Sequence, residues 1–254
     1  MINKILLIGA GNVATNLGLQ LKESGFEIVG CYSSTIDSSG RLANTLHTIN
    51  LHDLQHLPNH ELILICVPDD KIFSVLVQLP EDSKIAYTSG TISLQTLRPY
   101  PNLGVFYPLQ TFTKEKIIDL KTVPFFIEAN NSQFENELYE LAKNIGKQAT
   151  VANSEQRKQL HIAAVFVNNF TNHLAYLAKN HLEKHQLSWE NLLPLFEETF
   201  VKIMESNPKD VQTGPAKRND IGVIHTHLTE LSEETKKVYK AITDSIIHTY
   251  HAKL

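Results

Sequence analysis

The chain has 254 residues, of which 42% are hydrophobic and 20% charged, and a formal net charge of −4. That length accommodates one large domain or two modest ones, with enough apolar residues for a sizeable core. The slightly acidic balance, without a long basic block, argues against nucleic acid or an anionic membrane as a partner.

Cys31 and Cys66 sit inside apolar runs and share no metal-ligand spacing, so both read as buried thiols in a reducing compartment. The twelve histidines are scattered, and no metal site is expected. Only Lys4 precedes the apolar run at residues 5–8, which is not the pattern of a secretory signal. No stretch approaches the ~20 apolar residues of a membrane span. The expected location is the cytoplasm.

In chain order, residues 4–8 predict a buried strand and residues 12–24 a helix with Val13, Leu17 and Leu21 on one face. A second strand is expected at 26–32, a short helix at 41–46 and a short strand at 48–50. Residues 61–67 form a β-branched run that Pro68 closes, and a helix at 69–79 opens with two acids that suit its dipole. Strands at 84–88 and 103–107 follow, then a loop at 108–121. A strand at 123–128, a helix at 132–145 and a strand at 148–151 extend the sheet at one edge. Strands alternating with helices, most of them continuously apolar, predict an α/β fold: a Rossmann-type, mostly parallel sheet covered on both faces.

Beyond Val151 the pattern becomes helical throughout. Asn153 or Ser154 caps a long helix expected to reach residue 185. Further helices are expected from Ser188, with Pro194 near the start or at a bend, and at 221–231 and 233–250. Residues 207–220 read as a polar turn region. The predicted architecture is a dinucleotide-binding domain at 1–152 and an all-helical domain at 153–254.

The segment Gly9-Ala-Gly11-Asn12-Val13-Ala14 joins the first strand to the first helix. The first glycine permits a tight turn, the second lets backbone approach a pyrophosphate, and free N–H groups at the helix start receive phosphate oxygens. At the end of the second strand stand Ser33 and Ser34 rather than an acid, with Arg41 further on. Short hydroxyls and an arginine suit the 2′-phosphate of NADP better than the bare ribose of NAD. Arg41 reads equally as a solvated helix residue.

Val67-Pro68-Asp69-Asp70, Thr88-Ser89-Gly90-Thr91 and Tyr107-Pro108-Leu109-Gln110 follow successive strands on the edge where ligands bind in such folds. Val67, Pro68 and Ser89 are candidate cofactor contacts, while Asp69 caps the next helix or faces the ligand. Tyr107 is a candidate proton donor or a packing residue. On the long helix, His161, Asn168, Asn169 and His173 interrupt an apolar run. They line either a cleft for a polar substrate or a hydrated helix interface. His161 is the leading acid/base candidate, and Asn169 approaches the crevice from the same helix. In Thr213-Gly214-Pro215-Ala216-Lys217-Arg218-Asn219-Asp220, Arg218 offers a planar fork for an anionic group. Asp220 either orients Arg218 or caps the next helix.

These motifs together resemble a bacterial family that joins a Rossmann-like domain to a C-terminal domain of unknown function 2520. The resemblance rests on Gly9-x-Gly11-Asn-Val-Ala14, Val67-Pro68-Asp69-Asp70, Thr88-Ser89-Gly90 and Tyr107-Pro108-Leu109-Gln110 with Phe112. It continues in His161-x-Ala163-Ala164-Val165-Phe166 with Asn169-Phe170, and in Thr213-Gly214-Pro215-Ala216 with Arg218 and Asp220. That family is distantly similar to pyrroline-5-carboxylate reductases and β-hydroxyacid dehydrogenases. The resemblance implies an NADP-binding oxidoreductase that dimerises through its helical domain. The expected reaction is hydride transfer to or from a small polar, anionic keto, hydroxy or imino substrate. The alternative is a dinucleotide-sensing protein without turnover.

Overall fold

The computed structural model describes residues 2–97 and 100–251. The chain forms two compact units, Met1–Asn169 and Phe170–Leu254. In the first, β1 (Lys4–Ile8), β2 (Glu27–Tyr32), β3 (Leu62–Ile65), β4 (Lys84–Tyr87), β5 (Asn102–Pro108), β6 (Pro124–Ala129) and β7 (Gln148–Val151) build one sheet. Its spatial order is β2-β1-β3-β4-β5-β6-β7. All neighbours run parallel except β5 and β6, which pair antiparallel from Gly104 opposite Ala129 to Pro108 opposite Phe125.

Alternation along β1 explains the layering, because successive side chains leave a strand on opposite faces. Ile5 and Leu7 join the core under α1 (Asn12–Glu23), α2 (Ile36–Leu46) and α4 (Ser132–Ile145), where Leu17, Leu21, Leu46, Phe134 and Leu138 are buried. Leu6 and Ile8 enter the opposite core, beneath Ile72 and Leu76 of α3 (Asp69–Leu76). Both faces of the central strands are therefore covered. The apolar runs of β3 and β1, each almost wholly buried, follow from that.

The loop after β5 is held by α1. The buried Asn16 amide donates to the Asn12 and Thr113 carbonyls at 3.0 and 2.8 Å, and its oxygen accepts from the Ile118 N–H at 2.9 Å. Phe112 inserts into the core beside it.

Four expectations are corrected. The second helix starts at Ile36 rather than residue 41. The strand expected at 48–50 reduces to one bridge between Cys31 and Asn50. The single long helix is α5 (Ser154–Ala164), a π-helical turn at Val165–Phe170, and α6 (Thr171–Lys184). The polar turn region at 207–220 holds one helical turn, α8 (Pro208–Val211), whose start is capped by the Asn207 side chain.

The second unit contains α6, a 3₁₀ turn at Trp189–Leu192, α7 (Leu193–Glu205), α8, α9 (Ile221–Glu230) and α10 (Glu233–His251). Pro194 sits in the first turn of α7, where its missing N–H costs no helical bond. Among the described residues of this unit only Ala216, Ile224 and Thr243 are buried. No helix among the described residues is long and apolar enough to cross a membrane.

Candidate functional site

Gly9 and Gly11 serve different purposes. Gly9 has φ +116°, and a Cβ there would lie 2.2 Å from the Cys66 carbonyl oxygen, so the turn out of β1 excludes every other residue. Gly11 has an ordinary φ of −84°, and a Cβ on it meets no protein atom within 4 Å. The space beside Gly11 belongs to a cavity of about 420 Å³ lined by Gly9, Gly11, Ser33, Ser34, Val67 and Pro68.

Gly11 is also the N-cap of α1. It has no side chain to satisfy the first-turn N–H groups, and no acid stands in that turn. By contrast α4, α5 and α9 are capped by the side chains of Asn131, Asn153 and Asp220. An uncapped helix start beside a backbone that a ligand can approach closely is what a pyrophosphate requires, so these residues fit a dinucleotide.

Asn12 and Val13 occupy the first turn of α1, outside the residues lining the cavity. Arg41 is exposed on α2 and does not line it either. Ser89 is buried and faces a local turn, its hydroxyl accepting the N–H groups of Thr91 and Ile92 at 3.1 and 3.0 Å. The fold spends that hydroxyl on closing the β4 turn, where two part-buried N–H groups point at it.

Because β1, β3, β4 and β5 are parallel, their C-terminal ends share one edge of the sheet. Along it lie Gly9, then Val67 and Pro68, then Gly90, then Tyr107. Tyr107 is buried, and its hydroxyl lies 3.3 Å from Nδ1 of His161 on α5. Gly90 admits the phenol: a Cβ there would come within 2.7 Å of the ring. Burial raises the Tyr107 pKa, and the Asp69 charge pushes it in the same direction. Tyr107 therefore holds its proton throughout the neutral range.

Tyr107, Gln110, Thr111, His161, Asn168 and Asn169 line one pocket of about 500 Å³. The wider π-helical turn contributes both asparagines to it. Asp69 accepts a hydrogen bond from the Thr91 hydroxyl, which ties the start of α3 to the β4 turn. Arg218 belongs to the second unit, where it is exposed after the Gly214 turn. Asp220 caps α9 through the Val223 N–H at 3.2 Å.

Three contributors escape a reading of the sequence. Lys71 and Ser38 line the glycine cavity. Arg157, one helical turn before His161, is completely buried and ion-paired with Glu128. The helical face shared by Lys71, Ser74, Val75 and Gln78 is visible as i, i+3, i+4, i+7 spacing, but polar residues at that spacing ordinarily mark solvent. Among the described residues no group of three or more His, Cys, Asp or Glu side chains is placed to hold a metal ion.

The parallel sheet, glycine turn and strand-end cavity define the Rossmann class of α/β proteins, here followed by a helical unit. The chain belongs to the same family as a Bacteroides fragilis protein named as a "putative NADP oxidoreductase". The two are 38% identical over 97% of this chain and 98% of that one, with a TM-score of 0.91. A family described as "NADP oxidoreductase coenzyme F420-dependent" matches residues 4–87, and the "Domain of unknown function (DUF2520)" matches residues 123–246. The fold extends to the 1-pyrroline-5-carboxylate reductase of Streptococcus pyogenes, at 16% identity, TM-score 0.63 and coverage of 96% and 98%. It also extends to a reductive aminase of Aspergillus terreus, at 12% identity, TM-score 0.72 and coverage of 98% and 95%. No curated protein matches the chain.

Proposed function

We propose that the protein is an NADP-dependent oxidoreductase that moves hydride to or from a small polar keto, hydroxy or imino compound. The observation that carries this reading is the contact between the Tyr107 hydroxyl and His161 Nδ1, on the sheet edge that also carries the glycine cavity. The cofactor, when bound, supplies or accepts the hydride. As hydride reaches a carbonyl or imine carbon, the π electrons move to oxygen or nitrogen, and Tyr107 donates its proton there. His161 then restores the phenolic proton, its Nδ1 being in reach of the hydroxyl.

Asn168, Asn169 and Gln110 supply amides to the same pocket and orient a polar substrate. The name of the Bacteroides fragilis relative supports the cofactor and reaction class, and the NADPH-bound aminase supports the fold as a carrier of that chemistry. Two buried free thiols suit a reducing cytoplasm.

A second copy of the chain is the proposed partner. Phe170, Tyr176, Leu195 and Met204 are exposed in a unit with almost no core of its own, which also carries an apolar groove of about 430 Å³ along α6 and α10.

The test is NADPH oxidation by the purified protein with a panel of keto and imino acids, ketones and aldehydes. Turnover of a member of the panel supports the reading. Tight dinucleotide binding without turnover across the panel favours the sensing alternative, and absence of binding removes both.

A further inference from the structure

We propose that Lys71, on α3, is the residue that reads the 2′-phosphate of the cofactor and so sets the preference for NADP over NAD. The inference rests on the glycine cavity holding a dinucleotide.

Of the described residues lining that cavity, Lys71 is the only one with a full charge, and none is a carboxylate. An NAD site holds the ribose diol with an acid at the end of the second strand. Here Tyr32, Ser33 and Ser34 occupy that end and all three line the cavity. Asp37 and Arg41 lie beyond on α2, exposed and outside the lining. The cation suggested by the sequence, Arg41, is therefore on the wrong part of the helix, and Lys71 stands across the cavity instead.

The two walls complement each other. One face of α3 presents Lys71, Ser74 and Val75, with Gln78 in the turn beyond it, while the turn after β2 presents Ser33 and Ser34 and the first turn of α2 presents Ser38. Ser34 and Ser38 bring two hydroxyls to the lining, where they can meet phosphate oxygens. The Lys71 ammonium lies 3.2 Å from the Asp70 carboxylate, with both side chains more than 60% exposed. Such an exposed pair is weak and exchanges readily for a doubly charged phosphate. Ser74 and Gln78 hydrogen-bond backward along α3, to Lys71 O at 2.9 Å and Ser74 O at 2.6 Å. They leave the ammonium as the mobile donor of this wall. A lysine acts on phosphate as a point charge and tolerates this loose placement.

The experiment is calorimetric titration of the full chain with NADPH and with NADH, for the wild type, Lys71→Met, Lys71→Arg and Arg41→Met. The proposal expects Lys71→Met to weaken NADPH by about tenfold or more while NADH changes less than about twofold. Lys71→Arg retains most of the NADPH affinity, and Arg41→Met leaves both ligands unchanged. Equal weakening of NADPH and NADH by Lys71→Met, or no weakening of either, overturns the assignment. So does a selective NADPH loss in Arg41→Met. A wild type that binds neither dinucleotide overturns the cavity reading itself, and the Lys71 assignment with it.

Discussion

The guanidinium of Arg157 is completely buried and meets the carboxylate of Glu128, joining the first turns of α5 to β6. Its second nitrogen donates to the Ile92 carbonyl at 2.8 Å, in the segment whose carbonyl also accepts the Tyr87 hydroxyl at 3.1 Å. His161 is the next residue along that helix face. One ion pair thus anchors the helix that carries the histidine to the sheet that carries Tyr107.

Removing one partner leaves the other charge stranded in a dry site. Glu128→Gln, which strands the completely buried guanidinium, is expected to destabilise the first unit by about 3–5 kcal/mol, and Arg157→Met by a smaller amount because the Glu128 carboxylate it strands keeps some solvent contact. Denaturant midpoints read this directly. Midpoints within error of the wild type would show that the pair does not anchor the helix.

Tyr107→Phe keeps the buried ring and deletes only the hydroxyl. Turnover should fall by about 10²–10⁴-fold with NADPH affinity unchanged. His161→Gln should fall comparably, and the double variant little further, because the two groups act on one proton. Steady-state kinetics beside a binding titration separate these effects. Additive losses would mean that the two residues work independently.

Alkaline pH should destabilise the fold through its buried thiols and phenols. Burial pushes the thiols of Cys31 and Cys66 from 9.0 up to about 12, and raises the Tyr87 and Tyr107 hydroxyls for the same main reason. The unfolded chain loses these protons first. Stability is therefore intact below about pH 9 and declines as pH rises towards about 12. Denaturant midpoints across that range should fall, and Cys66→Ala should make the decline shallower. A flat profile would contradict the burial of these groups.

Sedimentation should find a dimer, and charging the exposed apolar residues with Leu195→Glu and Met204→Glu should produce monomer. A wild type that sediments as a monomer at micromolar concentration would remove the proposed partner.

The parts of this account that were legible in the sequence are those set by neighbours along the chain. β1, the glycine turn and α1 announce themselves through an apolar run, two glycines and a helical spacing. The Tyr107 and His161 candidates stood out by residue type, but their 3.3 Å contact joins positions 54 apart and has no local signature. Arg157 sits among Ser154, Glu155, Gln156 and Lys158 and looks like a solvated first turn; only β6, through Glu128, makes it a core residue. The start of α2 was hidden because Asp37, Ser38, Ser39 and Gly40 favour turns, and burial of Ser39 and Leu42 overrides that preference. The reversal of β6 depends on pairing with β5, and the π-helical turn on a departure in hydrogen-bond register, so neither shows in hydrophobic periodicity.

The central claim is that the cradle beside Gly11 holds the phosphates of a dinucleotide, and Gly11→Ala tests it most directly by NADPH calorimetry. The new methyl meets no protein atom and suits the existing backbone, so melting should match the wild type while NADPH affinity drops by about tenfold or more. Unchanged affinity in a folded Gly11→Ala protein, or a wild type giving no heat with NADPH, would contradict the account.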